Sequence, residues 1–392
     1  MKPNFPLLAL SVGAFGIGTT EFAPMGLLPV IATDLGISIP TAGMLVTGYA
    51  MGVMVGAPLM TLGTRRIPRQ TVLVGLMAIF TIGNLLSALS SSYAMLLGAR
   101  IVTSLSHGAF FGVGSIVAAN LVAPERRASA VATMFMGLTI ATIGGVPLAT
   151  LVGQLVGWRT AFAGITALGA LAMLALWFAL PRLDADASID LRHEIGVLTR
   201  PPVLRALLTT VLSAGAMFTL LTYIAPILQH ETGAAPALVT LMLVVVGVGF
   251  TVGNGVGGRF ADRSLDGSLI AFLGMLAVLL LIFPFAMHAS LPVAVAIFLW
   301  GMAAFAVVPP LQMRVMETAS DAPSLASSVN VGAFNLGNAL GAVVGGGVIG
   351  TGLGYAWVPI AGALLSLGGL AIVLFSRRGA AAPDMTVSRA SA

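Results

Sequence analysis

The sequence predicts an all-α membrane protein whose twelve transmembrane helices form two pseudo-symmetric six-helix bundles. The first observation behind this prediction is composition, since 58% of the 392 residues are apolar, 8% are charged and the mean hydropathy is +1.05. Soluble domains carry about 25% charged residues, so this chain cannot cover a surface that faces water. The second observation is a series of twelve apolar runs, each close to the roughly 20 residues that a helix needs to cross a bilayer.

The twelve runs follow one another with short loops between them. The first six cover about 5–31, 41–62, 70–90, 94–120, 128–153 and 158–180. The last six cover about 205–229, 236–260, 267–287, 292–316, 324–350 and 355–376. A charged, proline-containing stretch separates run six from run seven. We therefore expect an N-terminal bundle at 1–180, a cytoplasmic linker at 181–204, a C-terminal bundle at 205–376 and a cytoplasmic tail at 377–392.

The two halves resemble each other at corresponding runs. Residues 128–131 open run five with Ala-Ser-Ala-Val, and residues 326–329 open run eleven with Ala-Ser-Ser-Val. Run six begins at Gly157 before Trp158, and run twelve at Gly354 before Tyr355. Duplicated six-helix halves are typical of transporters, in which two bundles rock around a site at their interface.

The cationic side chains predict the orientation. If both termini are cytoplasmic, all 18 Lys and Arg residues except Arg100 and Arg159 lie toward the cytoplasmic side. The positive-inside rule therefore predicts a multi-pass protein of the bacterial inner membrane with both termini in the cytoplasm.

Glu21 is the only one of the 13 acidic residues that falls inside a predicted run. A carboxylate near the bilayer centre costs roughly 2.5–3.5 kcal/mol, so its presence indicates a use, and we expect it to bind and release a proton. From the helical rise, Glu21 lies about 5 Å outward of the midplane, His107 at the midplane and Arg100 about 10 Å outward. The alternatives are a static ion pair for Glu21, an interface anchor for Arg100 and a packing hydrogen bond for His107.

The sequence also excludes several kinds of function. There is no Cys, so thiolate chemistry is excluded, and four scattered His residues predict no metal site. The glycines at 253–263 lack the Lys-Ser/Thr of a phosphate-binding loop. The basic residues lie in short loops rather than on one folded face, which disfavours nucleic acid despite a pI of 10.4. We expect no enzyme activity, no cofactor and no nucleic-acid partner.

Several motifs, in their order and spacing, carry a family resemblance. In the first half they are Gly-Thr-Thr-Glu-Phe at 18–22, Arg100, His-Gly-Ala-Phe-Phe-Gly at 107–112 and Gly-Gly-Val-Pro at 144–147. In the second half they are Gly-Gly-Arg-Phe-Ala-Asp-Arg at 257–263, Val-Pro-Pro-Leu-Gln at 308–312 and Asn-Leu-Gly-Asn-Ala-Leu-Gly at 335–341. On these motifs the chain resembles the major facilitator superfamily. The resemblance is to its twelve-span drug:proton antiporter branch, and more narrowly to the arabinose-efflux-type permeases (the AraJ/YdhP group).

The resemblance implies that runs one, four, seven and ten line a central cavity, where Glu21, Arg100 and His107 would act in proton coupling. An apolar surrounding disfavours a charged carboxyl group, whereas a nearby arginine favours it. A site that alternates between these surroundings can load a proton on one side of the membrane and release it on the other.

The resemblance also implies a charged cytoplasmic latch after run two, with a copy after run eight. Arg65 stands where the first copy usually has Asp, whereas the second copy is intact and contains Arg259, Asp262 and Arg263. We expect Asp262 to pair with a cationic or helix-terminal partner and to favour the outward-open state.

Neutral polar residues in the runs are candidates for substrate binding, with helix packing as the alternative for each. They are Tyr223, Gln312, Asn330, Asn335 and Asn338. In run five, a proline that removes a backbone hydrogen bond follows two glycines, which predicts a bend and a gate or hinge. This candidate hinge consists of Gly144, Gly145 and Pro147.

The sequence therefore predicts a monomeric secondary transporter that exports a small molecule, sugar-like or drug-like, in exchange for protons by alternating access. Two alternatives stay open: a proton symporter or uniporter for similar solutes, and a membrane sensor that keeps the transporter fold without transport. The expected partners are the substrate, protons and the lipid bilayer.

Overall fold

A computed structural model describes residues 5–123, 127–181, 196–321 and 323–380. Within these residues the structure is helical without strands, and twelve segments are long and apolar enough to cross a membrane. The predicted fold class is therefore confirmed. Most of the predicted linker, 182–195, and most of the predicted tail, 381–392, lie outside the described residues.

The first six spans contain two interruptions of regular helix. Their bounds are α1 Phe5–Leu35, α2 Ile39–Gly63, α3 Arg69–Ala88, α4 Tyr93–Ser104 and His107–Asn120, α5 Arg127–Ile140 and Val146–Leu155 joined by a π-helical turn at Ala141–Gly145, and α6 Trp158–Ala179. The last six spans are interrupted twice. Their bounds are α7 Pro201–Leu221 and Ile224–Glu231, α8 Pro236–Ala261, α9 Leu265–Ala286, α10 Ser290–Ala306 and Val308–Thr318, α11 Pro323–Gly350, and α12 Trp357–Ala380.

The terminal face is the end at which α1 begins and α12 ends, and the far face is the end at which α1 passes into α2. Serine N-caps begin three of the helices. The hydroxyl groups of Ser38, Ser92 and Ser264 accept hydrogen bonds from backbone N–H groups in the first turns of α2, α4 and α9. Gly36 and Gly157 take positive φ values in far-face turns, where other residues would be strained.

Prolines account for the breaks in three spans. A proline removes one backbone hydrogen bond and crowds the carbonyl group four residues earlier. Pro226 therefore breaks α7 next to Thr222, and Pro310 breaks α10 next to Ala306. Pro147 follows the π-helical turn of α5, which lies in the part of run five where a bend is predicted.

The break in α4 has a different origin, since no proline is near it. Hydroxyl groups donate to nearby carbonyl oxygens and compete with the helical ladder. Thr103 donates to Ala99 O, Ser104 to Ile101 O and Ser106 to Thr103 O, at 2.6–2.8 Å. The second helix of α4 then begins at His107, which positions this side chain beside α1 and α2.

Several helices extend beyond the predicted apolar runs. The run of α1 was predicted to end at residue 31, but the helix continues to Leu35 and contains Asp34, and α10 reaches far enough to contain Glu317. The prediction that Glu21 is the only acidic residue within a span is thus wrong when the spans are taken as the observed helices. The helices are longer than the apolar runs because backbone hydrogen bonding continues beyond the hydrocarbon core of the membrane. Glu21 remains the only buried carboxylate among the described residues.

On the far-face side the two halves pack together. Phe22 of α1 stacks on Phe218 of α7, with ring centroids 6.2 Å apart and planes 5° apart. Met25 and Leu28 of α1 belong to the same buried cluster as residues of α7, α8 and α10. Thr240 of α8 also donates to Gln154 Oε1 of α5 at 3.2 Å. The far half of α1 therefore packs between the second half of the chain and the core of its own half.

Candidate functional site

Glu21 lies near the middle of α1 and is 6% exposed. Its nearest ionisable partner is His107 of α4, whose Nε2 lies 3.9 Å from Glu21 Oε2. This distance exceeds that of a hydrogen bond, so the contact is an ion pair only when the imidazole is protonated. The sequence motifs at 18–22 and 107–112 thus bring a carboxyl group and an imidazole together in the bundle interior.

Tyr49 of α2 connects this pair to Arg100. The Tyr49 hydroxyl lies 3.1 Å from His107 Nδ1, which is a hydrogen-bond distance. The guanidinium of Arg100 lies 4.2 Å from the centroid of the Tyr49 ring, in a cation–π contact. Since Tyr49 occupies Nδ1 of His107, Nε2 is the nitrogen directed toward Glu21.

Arg100 is 1% exposed, so it does not extend to the membrane interface as an anchor. Its Nη1 donates to Thr20 Oγ1 at 3.1 Å, and Thr20 in turn donates to Asn84 Oδ1 at 2.6 Å. Arg100 and Glu21 form no ion pair in the described part of the chain, and Nε and Nη2 of Arg100 have no hydrogen-bond partner there. The guanidinium is therefore held between an aromatic ring and a hydroxyl group rather than by a carboxylate.

Sequence reasoning missed Tyr49, Thr20 and Asn84. Tyr49 is the only Tyr that lies inside an unbroken helical segment away from its ends, because Tyr93 and Tyr355 lie near span starts and Tyr223 lies in the break of α7. A tyrosine in the middle of an apolar span indicates a hydroxyl group with a buried partner, and this signal could have identified Tyr49. Asn84 is likewise the one amide in the interior of α3.

The predicted substrate residues Gln312 and Asn330 bind each other. Asn330 Nδ2 donates to Gln312 Oε1 at 2.6 Å, and Gln312 Nε2 donates to Ser327 Oγ at 2.6 Å. Thr210 of α7 donates to Asn330 Oδ1 at 2.7 Å. This network joins α7, α10 and α11 within the second half, which agrees with the alternative that these polar residues hold helices together.

The other three substrate candidates are also buried. The Tyr223 hydroxyl donates to Ala342 O at 2.7 Å, and its ring fills space left by Gly43 and Gly345. Asn335 Nδ2 donates to Val331 O of its own helix at 2.9 Å. The Oδ1 atoms of Asn335 and Asn338 have no hydrogen-bond partner among the described residues. Among the candidate substrate-binding residues, these two buried amide oxygens can still accept a hydrogen bond in this conformation.

The candidate hinge lies at a seam between the two halves. The α-carbon of Gly145 faces the Thr19 hydroxyl and the Phe15 ring of α1, whereas Gly144 has open space on its side-chain face. From the other half, Gly247 of α8 approaches the backbone of the same π-helical turn. The irregular turn therefore contacts both halves of the chain.

The candidate latch lies at the terminal face. Arg259 is exposed in the last turn of α8, and Arg263 lies 5.7 Å from the ring centroid of Phe260. The side chain of Asp262 forms no ion pair or hydrogen bond within the described ranges, so the expected partner is not seen in this conformation. Other ion pairs occur on this face: Asp266 of α9 pairs with Arg314 of α10, and Arg200 with Asp321 at 2.7 Å.

Comparison with known proteins agrees with this architecture. Residues 10–331 match the model of the Major Facilitator Superfamily. The chain is 59% identical over 374 residues to the inner membrane transport protein YdhP of Escherichia coli (strain K12), covering 95% of this chain and 96% of that protein. It is 35% identical to AraJ of the same organism, covering 95% of each chain. A protein of Helicobacter pylori (strain J99) named as a probable sugar efflux transporter is 31% identical, covering 92% of each.

The fold also matches a solved structure. The crystal structure of a bacterial homologue of the human lysosomal transporter Spinster superposes with a TM-score of 0.75, covering 96% of this chain and 98% of that chain at 16% identity. At that identity the likeness concerns the fold alone. Together with the family match and the relatives, it confirms the predicted family and the absence of an enzyme class. The chain belongs to the Major Facilitator Superfamily of membrane transporters.

Proposed function

We propose that this transporter exports a small molecule across the bacterial inner membrane in exchange for protons, with both termini in the cytoplasm. The observation that carries the proposal is the pair formed by Glu21 and His107, buried near the middle of the membrane-spanning bundle with 3.9 Å between carboxylate and imidazole. A buried carboxyl group is costly in the membrane unless it is used, and proton relays are its common use.

In this proposal Glu21 carries the coupling proton and His107 senses its charge. When Glu21 is ionised, a protonated His107 is stabilised at 3.9 Å, and when Glu21 takes up a proton that stabilisation is lost. Tyr49 couples the charge of His107 to the position of Arg100, because its hydroxyl contacts His107 and its ring contacts the guanidinium of Arg100. Arg100 acts as the positioning group that favours the ionised carboxyl in whichever state brings the two close.

The packing of the halves supports alternating access. The contact between Phe22 and Phe218 and the cluster around Met25 enclose α1 on the far-face side of Glu21. With the termini in the cytoplasm, closure on this side is what an inward-facing state requires. Rocking of the halves about the seam at Gly145 and Gly247 would open the far side, and the latch at Asp262 would then close the terminal face.

The substrate class is proposed from chemistry and from one relative. The free amide oxygens of Asn335 and Asn338 suit a substrate with hydroxyl or N–H donors, which both sugars and amphiphilic drugs possess. The likeness to a probable sugar efflux transporter favours starting with sugars. We propose that the protein acts as a monomer, since each chain contains a complete pair of halves.

The test uses purified protein in liposomes loaded with a pH-sensitive dye. A panel of sugars, nucleosides and antibiotics is first ranked by the melting temperature of the protein, and those that raise it are then added outside the liposomes. Antiport predicts that an inward substrate gradient drives protons outward. Protons moving with the substrate would indicate the symporter, substrate flux without proton movement the uniporter, and binding without flux the sensor.

A further inference from the structure

A cavity lies in the C-terminal half at the terminal face, away from Glu21 and its neighbours. It has a volume of about 390 Å³. Four helices enclose it, because it lies where α7 and α9 begin and α10 and α12 end. Its lining includes the charged residues Arg205, Asp266 and Arg314 beside apolar residues such as Leu269 and Leu311.

The cavity combines cationic groups with an apolar floor. Arg205 of α7 and Arg314 of α10 contribute guanidinium groups, and Asp266 is the one acid in the lining. Asp266 pairs with a terminal nitrogen of Arg314, but the Nε of Arg314 is buried without a hydrogen-bond partner in the described part of the chain. Arg205 donates its Nε to the Pro201 carbonyl at 3.3 Å, and its terminal nitrogens have no hydrogen-bond partner among the described residues. The cavity thus carries a surplus of positive charge and unused N–H donors.

Its surroundings indicate where a ligand would come from. The cavity lies at the ends of four spans, which is the depth of lipid headgroups. Large apolar side chains flank it on the outward sides of α7 and α12, where Leu204 is 51% and Phe375 is 68% exposed. Such side chains face acyl chains in a membrane, so an anionic headgroup next to them could place its phosphate among the arginines.

We propose that this cavity binds the phosphate headgroup of an anionic phospholipid from the leaflet at the terminal face. Guanidinium groups bind phosphate oxygens through paired N–H donors, and basic pockets between spans on this side of a membrane bind such headgroups. The phosphate would engage Arg205 and compete with Asp266 for Arg314. Occupancy therefore weakens the tie between α9 and α10, beside the candidate latch at Asp262.

The test measures lipid binding to the purified full-length protein by native mass spectrometry. Dioleoyl phosphatidylglycerol is compared with dioleoyl phosphatidylcholine, which has the same acyl chains and no net charge. Arg205→Gln should weaken phosphatidylglycerol binding about fivefold, the equivalent of about 1 kcal/mol for one cationic side chain near the membrane surface. Arg66→Gln, which removes an exposed arginine of the same face outside the cavity, should leave it unchanged.

A variant with the opposite expected sign separates binding from damage to the fold. Asp266→Asn removes the carboxylate that competes for Arg314, so it should tighten phosphatidylglycerol binding. Displacement of the lipid by millimolar inorganic phosphate would support the proposal, because it would show that the phosphate group engages the site. Equal binding of the two lipids, equal losses in Arg205→Gln and Arg66→Gln, or weaker binding in Asp266→Asn would overturn the proposal.

Discussion

His107 Nε2 lies 3.9 Å from Glu21 Oε2, while the opposite ring nitrogen of His107 lies 3.1 Å from the Tyr49 hydroxyl. The imidazole is thus fixed between a carboxyl group and a phenol. The Tyr49 ring also contacts the guanidinium of Arg100, so three successive contacts link Glu21 to Arg100 through His107 and Tyr49.

Tyr49→Phe removes the hydroxyl that contacts His107 and keeps the ring beneath Arg100. We expect loss of about 1 kcal/mol of stability, the usual value of one hydrogen bond, and a changed pH profile of substrate-driven proton movement. Tyr49→Leu also removes the cation–π contact and should lower the melting temperature further. If Tyr49→Phe leaves the profile as in the unmodified protein, the hydroxyl only fills space.

Arg100→Gln removes the buried positive charge near Glu21. A positive charge favours the ionised carboxyl group, so its loss should move the pH profile of coupled transport toward higher pH, and Arg100→Lys should move it less. A large loss in the Lys variant would indicate that the guanidinium geometry over Tyr49 and Thr20 matters more than the charge. If both variants lower only the yield of folded protein, Arg100 has a structural role.

Gly145→Ala places a methyl group against Thr19 and Phe15 of α1. Crowding of this kind costs about 1–3 kcal/mol, so we expect a lower melting temperature and slower transport. Gly144→Ala is the matched control, because its methyl group would enter open space in the same π-helical turn. Equal transport rates in the two variants would argue against a hinge that depends on close packing with α1.

Asp262→Ala tests the latch through conformational equilibrium. We expect cysteines introduced on the terminal face of α2 or α11 to become more accessible in this variant, because the outward-open state loses a contact. Arg65→Ala should have a smaller effect, since the first copy of the loop lacks its acid. The measurement is the labelling rate of these cysteines with a membrane-impermeant thiol reagent. Equal effects of the two variants, or a larger effect of Arg65→Ala, would contradict the prediction that the second copy of the loop dominates.

Much of the fold was predictable from the sequence because the bilayer imposes the length and polarity of each span. The positions of Glu21, His107 and Arg100 on α1 and α4 followed from their motifs. The role of Tyr49 could not be predicted, because it depends on how α2 packs between α1 and α4. A helix that is apolar on all sides does not show from its sequence which face is turned toward the site. The network between Gln312 and Asn330 shows the converse case, in which polar residues suited to a substrate bind each other instead.

The central claim is that Glu21 carries the coupling proton, and one measurement tests it most directly. Substrate-driven proton movement is recorded in liposomes containing Glu21→Gln, with Asp34→Asn as a control that removes an exposed carboxylate from the same helix. We expect that substrate still binds and raises the melting temperature of Glu21→Gln, while proton movement is lost and transport no longer depends on pH. Asp34→Asn should remain coupled. Proton movement in Glu21→Gln with the rate and pH dependence of the unmodified protein would contradict the claim.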